Sequence, residues 1–149
     1  MSTEKVNSWI ESHEDMMIQF LQDIVRIPSV TGNEGTIQTF ISEKLAEEVS
    51  QGYEGRPDVV GILKGLGGGR SLLFNGHVDV IPEGSQDNWD HGSWSGDIED
   101  GKMYGRGTSD MKSGVAAMTM AIKAIREAGV KLKGDIIAEY VMDEELSGN

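Results

Sequence analysis

The residues best suited to chemistry fall in three short groups that lie far apart along the chain. The first is His77 with Asp79, the second is Asp110, and the third is the acidic run Asp143-Glu144-Glu145. Residues two apart on an extended chain share a face, so His77 and Asp79 can act together. An imidazole can then bind a metal while the neighbouring carboxylate fixes its tautomer. The alternative is a buried histidine paired with an acid at the end of a strand.

The acidic groups also have two interpretations each. Asp110 precedes a predicted helix, so it could cap that helix or bridge two cations at the head of a cleft. Residues 143–145 could form a solvated loop, but a divalent cation would also offset the repulsion among three neighbouring acids. Successive strand residues point to opposite faces, so Glu144 and Glu145 converge on one site only where the chain has left strand geometry.

Spacing favours a single site built from all three groups. His77, Asp110 and Glu145 each lie just after a predicted strand or just before a predicted helix. They are separated by about one supersecondary unit each. Open α/β sheets bind their ligands at the carboxyl ends of the strands, which is where these residues are expected.

Helices and buried strands alternate along the chain, which predicts an α/β fold. Two strands flank the glycine run 65–69 and are predicted to form a hairpin. Residues 84–107 predict a long functional loop with a short hairpin around Asp100-Gly101, and Gly129 is expected to cap the last helix. The predicted helices cover residues 13–26, 34–49 and 112–128, and the predicted strands cover residues 59–63, 71–75 and 135–142.

Composition narrows the classes of function. The 149 residues suit one domain, and the formal net charge of −12 argues against general nucleic-acid binding. The chain has no cysteine, which excludes disulfides, thiolate zinc sites and a cysteine nucleophile. Neither a signal peptide nor an apolar membrane-spanning run is found, so a cytoplasmic protein is expected.

Several other residues invite functional interpretations that we reject. The run 65–69 is not a dinucleotide fingerprint, because Arg70 replaces the last glycine and a strand follows. His91 is expected at the surface rather than as a ligand, and Arg106 is expected to pair with a nearby acid. His13 is placed on the first helix without a partner. Two tryptophans, Trp89 and Trp94, are expected to pack the long loop onto the domain.

The motifs together resemble the M20 family of metallopeptidases and amidohydrolases. This family includes acetylornithine deacetylase, succinyl-diaminopimelate desuccinylase, aminoacylases and glutamate carboxypeptidases. The motifs are Gly76-His77-Val78-Asp79-Val80-Ile81-Pro82, Trp89, Asp100-Gly101-Lys102-Met103-Tyr104-Gly105-Arg106-Gly107, Ser109-Asp110-Met111-Lys112 and Asp143-Glu144-Glu145. The resemblance implies a three-layer α/β/α zinc-peptidase-like catalytic domain.

Site roles also follow from the resemblance. It implies two zinc ions, sometimes cobalt, with His77 on the first, Asp110 bridging both and Glu145 on the second. Asp79 would hydrogen-bond His77 and hold it in place, and Glu144 would be the general base that activates the attacking water. A cis peptide bond is implied between Asp110 and Met111.

The resemblance further implies that residues 1–149 are the N-terminal part of the catalytic domain, truncated before the lid. The lid and dimerisation domain and the C-terminal catalytic part would be absent, so a homodimer would need that missing lid. We expect weak metal binding and little hydrolysis from this chain alone. The segment 50–56 looks short for the family and could mark a deletion.

The expected reaction is amide hydrolysis of an N-acyl amino acid, of the deacetylase or desuccinylase type in amino-acid metabolism. A dipeptidase or carboxypeptidase acting on a short peptide is the alternative within the family. A non-enzymatic remnant that binds a metal or a partner is the alternative outside it. Calcium sites use oxygen ligands, so a central His77 favours zinc over calcium.

Overall fold

The computed structural model describes residues 2–45 and 57–146, which form four helices and five strands in two sheets. The helices are α1 (Ser2–Ser12), α2 (Glu14–Arg26), α3 (Gly35–Leu45) and α4 (Ser113–Glu127). The strands are β1 (Val59–Leu63), β2 (Leu72–His77), β3 (Asp97–Glu99), β4 (Lys102–Tyr104) and β5 (Ile136–Val141). Two parts of the sequence predictions, the helix end at 46–49 and the short segment 50–56, lie outside the described residues.

Two of the helices, α2 and α4, end where the sequence predicts. Pro28 has no backbone N–H, and α2 stops two residues before it. Gly129 adopts φ +67° directly after α4, and its N–H donates to the Arg126 carbonyl, which confirms the predicted cap. One helix, α1, was not predicted, because its mostly polar sequence buries only Trp9.

The main sheet has the strand order β1-β5-β2, with β1 antiparallel and β2 parallel to β5. The predicted hairpin between β1 and β2 is therefore wrong. The glycine-rich connection instead lets the chain that leads into β5 pass between the two strands. A Cβ on Gly65 would lie 2.3 Å from the Gly134 carbonyl oxygen, and a Cβ on Gly134 would lie 2.0 Å from that of Arg70.

The core lies between one face of this sheet and the helices. Tyr140 and Ala138 of β5 are completely buried there, and the Tyr140 hydroxyl lies 2.8 Å from Thr119 Oγ of α4. The opposite face is open within the described residues. Ile62 and Leu73, which flank Ile137 on that face, are 37% and 50% exposed.

The long segment between β2 and α4 folds back against α2. It contains the small β3–β4 hairpin, whose turn residues Asp100 and Gly101 have φ +50° and +73°, so the predicted short hairpin is confirmed. Gln22 donates to the Gly96 carbonyl, and Arg26 donates to that of Ser95. The segment is therefore anchored rather than free.

Within residues 2–45 and 57–146, we find no helix with the length and apolar character needed to cross a membrane.

Candidate metal centre

His77 ends β2 at the carboxyl edge of the sheet and is only 6% exposed. Its Nδ1 lies 3.0 Å from the Asp79 carbonyl oxygen, and its Nε2 lies 3.2 Å from Asp110 Oδ1 and 3.7 Å from Glu144 Oε2. Burial alone would lower the pKa of His77. The hydrogen bonds to Asp79 and Asp110, with the negative charges nearby, outweigh burial and raise that pKa above its ordinary value. Nε2 is thus the ring nitrogen that faces the carboxylates of Asp110 and Glu144.

Asp79 is completely buried and holds together the backbone beneath the site. Its carboxylate accepts hydrogen bonds from Thr31 Oγ at 2.8 Å, from the Glu144 N–H at 3.2 Å and from the Glu145 N–H at 3.1 Å. The same carboxylate lies 3.5 Å from His77 Nδ1. Asp79 thus contacts the imidazole, and it also fixes the turn that carries both glutamates.

Asp110 lies in the turn Thr108–Lys112, which precedes α4, and the backbone of Asp110 and Met111 is not helical there, with φ −123° and −126°. The Asp110–Met111 peptide bond is cis, in agreement with the family resemblance. The helix-capping alternative is not supported, because the N-cap of α4 is Lys112 and makes no side-chain cap hydrogen bond. The Asp110 side chain is 77% exposed and points toward His77.

The two glutamates follow β5 after a change in backbone direction. Asp143 adopts φ +61°, so the chain has left strand geometry as convergence of the two side chains requires. Burial raises the pKa of Glu145, and the negative charges of Asp110, Asp79 and Glu144 add to this against the opposing effect of His77. Crowded carboxylates of this kind are stabilised by a bound cation.

Three residues can offer ligand atoms to a single ion. One ligand atom from each of His77, Asp110 and Glu145 lies within 4.8 Å of the other two. It is the one such group of three that residues 2–45 and 57–146 contain. An imidazole nitrogen with carboxylate oxygens is a donor set that zinc accepts, and the Nδ1 hydrogen bond leaves Nε2 for a metal.

Comparison with known proteins decides the family. The sequence model described as Peptidase family M20/M25/M40 matches residues 73–149, which is more than half of the chain and includes the whole ligand group. The chain belongs to this family. The resemblance drawn from the motifs is thereby confirmed.

Two curated relatives are clearly similar to the chain. It is 36% identical over 148 residues to N-formyl-4-amino-5-aminomethyl-2-methylpyrimidine deformylase of Bacillus subtilis (strain 168). That alignment covers 92% of this chain and 34% of the deformylase. It is 37% identical over 131 residues to succinyl-diaminopimelate desuccinylase of Methylorubrum extorquens. That alignment covers 83% of this chain and 34% of the desuccinylase.

The fold is likewise similar to solved structures. Human carnosine dipeptidase 1 matches with a TM-score of 0.80 and 25% identity over 92% of this chain and 34% of that one. The predicted M20-type α/β fold is confirmed. The chain spans about a third of the length of these relatives.

The remaining sequence candidates lie outside the M20 ligand group. His91 stacks on Tyr104, and its two ring nitrogens lie 3.3 Å from Asp97 and 3.4 Å from Glu99. His13 lies between α1 and α2 rather than on a first helix. It is not partnerless, since it stacks on Trp9 and hydrogen-bonds the Trp9 carbonyl.

The loop residues Trp89, Trp94 and Arg106 make structural contacts. Trp89 Nε1 donates to the Glu83 carbonyl, and the Arg106 guanidinium lies over the Trp89 ring at 5.2 Å. The Trp94 ring lies 5.3 Å from the Lys112 ammonium. The Trp94 contact agrees with the expectation that the tryptophans pack the loop onto the domain, whereas the Trp89 contacts lie within the loop segment itself.

Two supporting residues were missed by sequence reasoning. Thr31 donates to Asp79 from the segment after α2, and the completely buried Lys112 donates to two carbonyls of the α2 end. Burial lowers the pKa of Lys112 to about 7. The one available signal was the place of Lys112 in the Ser109-Asp110-Met111-Lys112 motif, since no pattern marks a lysine as buried.

Proposed function

We propose that this chain belongs to a metal-dependent hydrolase that cleaves amide bonds in N-acyl amino acids, of the deacetylase or desuccinylase type. The observation that carries the proposal is the convergence of His77, Asp110 and Glu145 within 4.8 Å. Glu144 lies beside that group, with its carboxylate 3.7 Å from His77 Nε2.

The ligand roles are those that the family resemblance implies. His77 would hold one zinc ion, Glu145 a second, and Asp110 both, with cobalt able to replace zinc. Zinc bound there supplies Lewis acidity, which lowers the pKa of a water molecule and stabilises an oxyanion. The buried Asp79 keeps the His77 ring and the glutamate turn in place for this.

Glu144 is the residue suited to proton transfer. Its side chain is 53% exposed at the rim of the ligand group, so it can reach both solvent and substrate. We assign it the role of general base, accepting the proton of the attacking water and passing it to the leaving amine. Glu145 is the poorer base, because a carboxylate that binds metal is less basic.

The names of the curated relatives support an acyl-amide substrate, since one is a deformylase and another a desuccinylase. A dipeptidase or carboxypeptidase is the second candidate, and the similarity to human carnosine dipeptidase 1 favours it. A metal-binding remnant without enzymatic activity is the candidate from a different class.

The relatives are about three times as long as this chain, which bears on what the chain does alone. We infer that it forms the N-terminal part of the catalytic domain, and that the rest of the protein supplies the third layer, the lid and the remaining ligands. Catalytic zinc usually has three protein ligands. The isolated chain is therefore expected to bind metal weakly, to hydrolyse little and to remain without the lid-mediated dimer. A cytoplasmic location is part of the same proposal.

The test uses the protein purified from its natural source, with its intact mass measured first. It is then assayed with zinc or cobalt on N-succinyl, N-acetyl and N-formyl amino acids and on unmodified dipeptides. We expect faster hydrolysis of an acyl amino acid than of any dipeptide, and Glu144→Gln to reduce kcat by at least about 100-fold. Preference for dipeptides would favour the second candidate, and no hydrolysis with bound metal would favour the remnant.

A further inference from the structure

We propose that Lys112 is a positioning residue for the metal centre, because it ties the turn that carries Asp110 to the C-terminal end of α2. The inference rests on the proposed function, since it concerns the geometry of the same site. It assigns Lys112 no contact with substrate or metal.

The ammonium of Lys112 replaces a missing backbone donor. Its Nζ donates to the carbonyl oxygens of Ile24 and Ile27, each at 2.9 Å. In a continuing helix the Ile24 carbonyl would accept from the N–H four residues later, but that residue is Pro28, which has none. A cation also suits the negative end of the helix dipole. The lysine is therefore bound at a defined position rather than merely buried.

The turn closes around the lysine stem. The Lys112 N–H donates to the Gly107 carbonyl at 2.9 Å, and Gly107 adopts φ +81°. A Cβ on Gly107 would lie 3.2 Å from Lys112 Cδ and 2.7 Å from Val80 Cγ1. Fixing the Lys112 ammonium thus fixes the backbone path from residue 107 to 112.

Asp110 depends on that backbone path for its position. Its side chain is 77% exposed, so packing does little to hold it, and among residues 2–45 and 57–146 the one hydrogen bond of its carboxylate is to His77. The segment after α2 also supports the other half of the site. Ser29 donates to the Val78 carbonyl, and Thr31 donates to the Asp79 carboxylate. The end of α2 and the segment after it therefore hold both the turn that carries Asp110 and the residues that follow His77.

The absence of cysteine allows a precise chemical test. Lys112→Cys introduces a single thiol, which is alkylated in the unfolded chain before refolding. With 2-bromoethylamine, the thiolate displaces bromide and forms a C–S bond, giving a side chain of lysine's length that ends in an ammonium. With 1-bromopropane, the same displacement gives a chain of equal length that ends in a methyl group. The two products differ only at the terminal group.

Two readouts are compared, with thermal unfolding recorded to show that each form folds. One is the affinity for Co²⁺ and its visible absorption spectrum. The other is the ¹H–¹⁵N correlation of the His77 ring without metal, at one fixed pH. We expect the aminoethyl form to match wild type in both. We expect the propyl form to bind Co²⁺ about 10–100-fold more weakly and to shift the His77 resonances.

The outcomes separate this inference from the proposed function. If wild type binds no Co²⁺ at the His77 site, the proposed function fails, while the metal-free His77 resonances still decide whether Lys112 positions Asp110. If the propyl form equals wild type in both readouts, the inference is overturned. If the propyl form does not fold, Lys112→Gln replaces it. Its shorter amide cannot reach both carbonyls, so the same losses are expected and unchanged readouts would overturn the inference.

Discussion

Asp79 holds several parts of the site in place through its carboxylate. It accepts hydrogen bonds from one side chain and two backbone amides while completely buried. Sequence reasoning placed it next to His77, because residues two apart share a face of a strand. Its hydrogen bonds to the backbone N–H groups of Glu144 and Glu145 could not be predicted, because they form only when β5 lies beside β2.

Replacing the Asp79 carboxylate should therefore damage the site more than its small change in volume suggests. In Asp79→Asn, the amide NH₂ group meets N–H donors and cannot accept from them. We expect zinc affinity to fall by about 10–100-fold and the free energy of unfolding by about 1–3 kcal/mol. Titration calorimetry and urea unfolding measure the two effects. Asp87→Asn, at an exposed position, is the matched control, and equal behaviour of the two variants would contradict this role.

At the scale of elements, the glycine-rich connection decides the strand order. Its composition predicts a turn, and the turn is there. The hairpin prediction failed because local sequence does not show that residues 132–134 cross the gap between β1 and β2. The hydrogen bond from the Leu66 N–H to the Leu132 carbonyl records that crossing.

Gly134 is the tightest point of this crossing. Gly134→Ala would place a methyl group 2.0 Å from the Arg70 carbonyl, so the backbone must move. We expect a loss of at least about 1–3 kcal/mol in the free energy of unfolding, the usual range for overpacking. Gly129→Asn is the control, because Asn tolerates positive φ and nothing lies within 4 Å of the added Cβ. If Gly134→Ala unfolds at the same urea concentration as wild type, the close approach is not real.

Asp135 ties the start of β5 to the end of β1 and gives the fold a pH dependence. The Gly65 N–H, with the Lys64 ammonium, holds the pKa of Asp135 below its ordinary value. Its contribution to stability is therefore present above about pH 4 and is lost as pH falls through the lower folded-state value. We expect the stability advantage of wild type over Asp135→Asn to shrink as pH is lowered from 6 to about 3. An advantage that stays constant across this series of unfolding curves would refute the assignment.

At the scale of the whole molecule, one face of the main sheet is open among the described residues. Leu73 and Ile62 lie on it at 50% and 37% exposure, and β2 is an edge strand. Alternation of helices and strands predicted the α/β class. It could not predict which face is covered, because that depends on contacts between distant elements.

The open face should make the isolated chain prone to associate. Leu73→Lys is expected to lower both the apparent mass in light scattering and the binding of an apolar fluorescent dye. Leu66→Lys, at a 78% exposed position in the glycine-rich turn, is the matched control and should change neither by much. In the longer protein that we propose this chain belongs to, we expect Leu73 to be covered, so dye binding there should be low. Strong dye binding by the longer protein would contradict this.

The central claim is that His77, Asp110 and Glu145 form a metal centre. It is tested most directly by calorimetric titration of this chain with zinc and calcium, in wild type and in Asp110→Asn. We predict that zinc binds more tightly than calcium and that Asp110→Asn weakens zinc binding by at least about 10-fold. Equal zinc affinity in both proteins, or tighter calcium than zinc binding, would contradict the account.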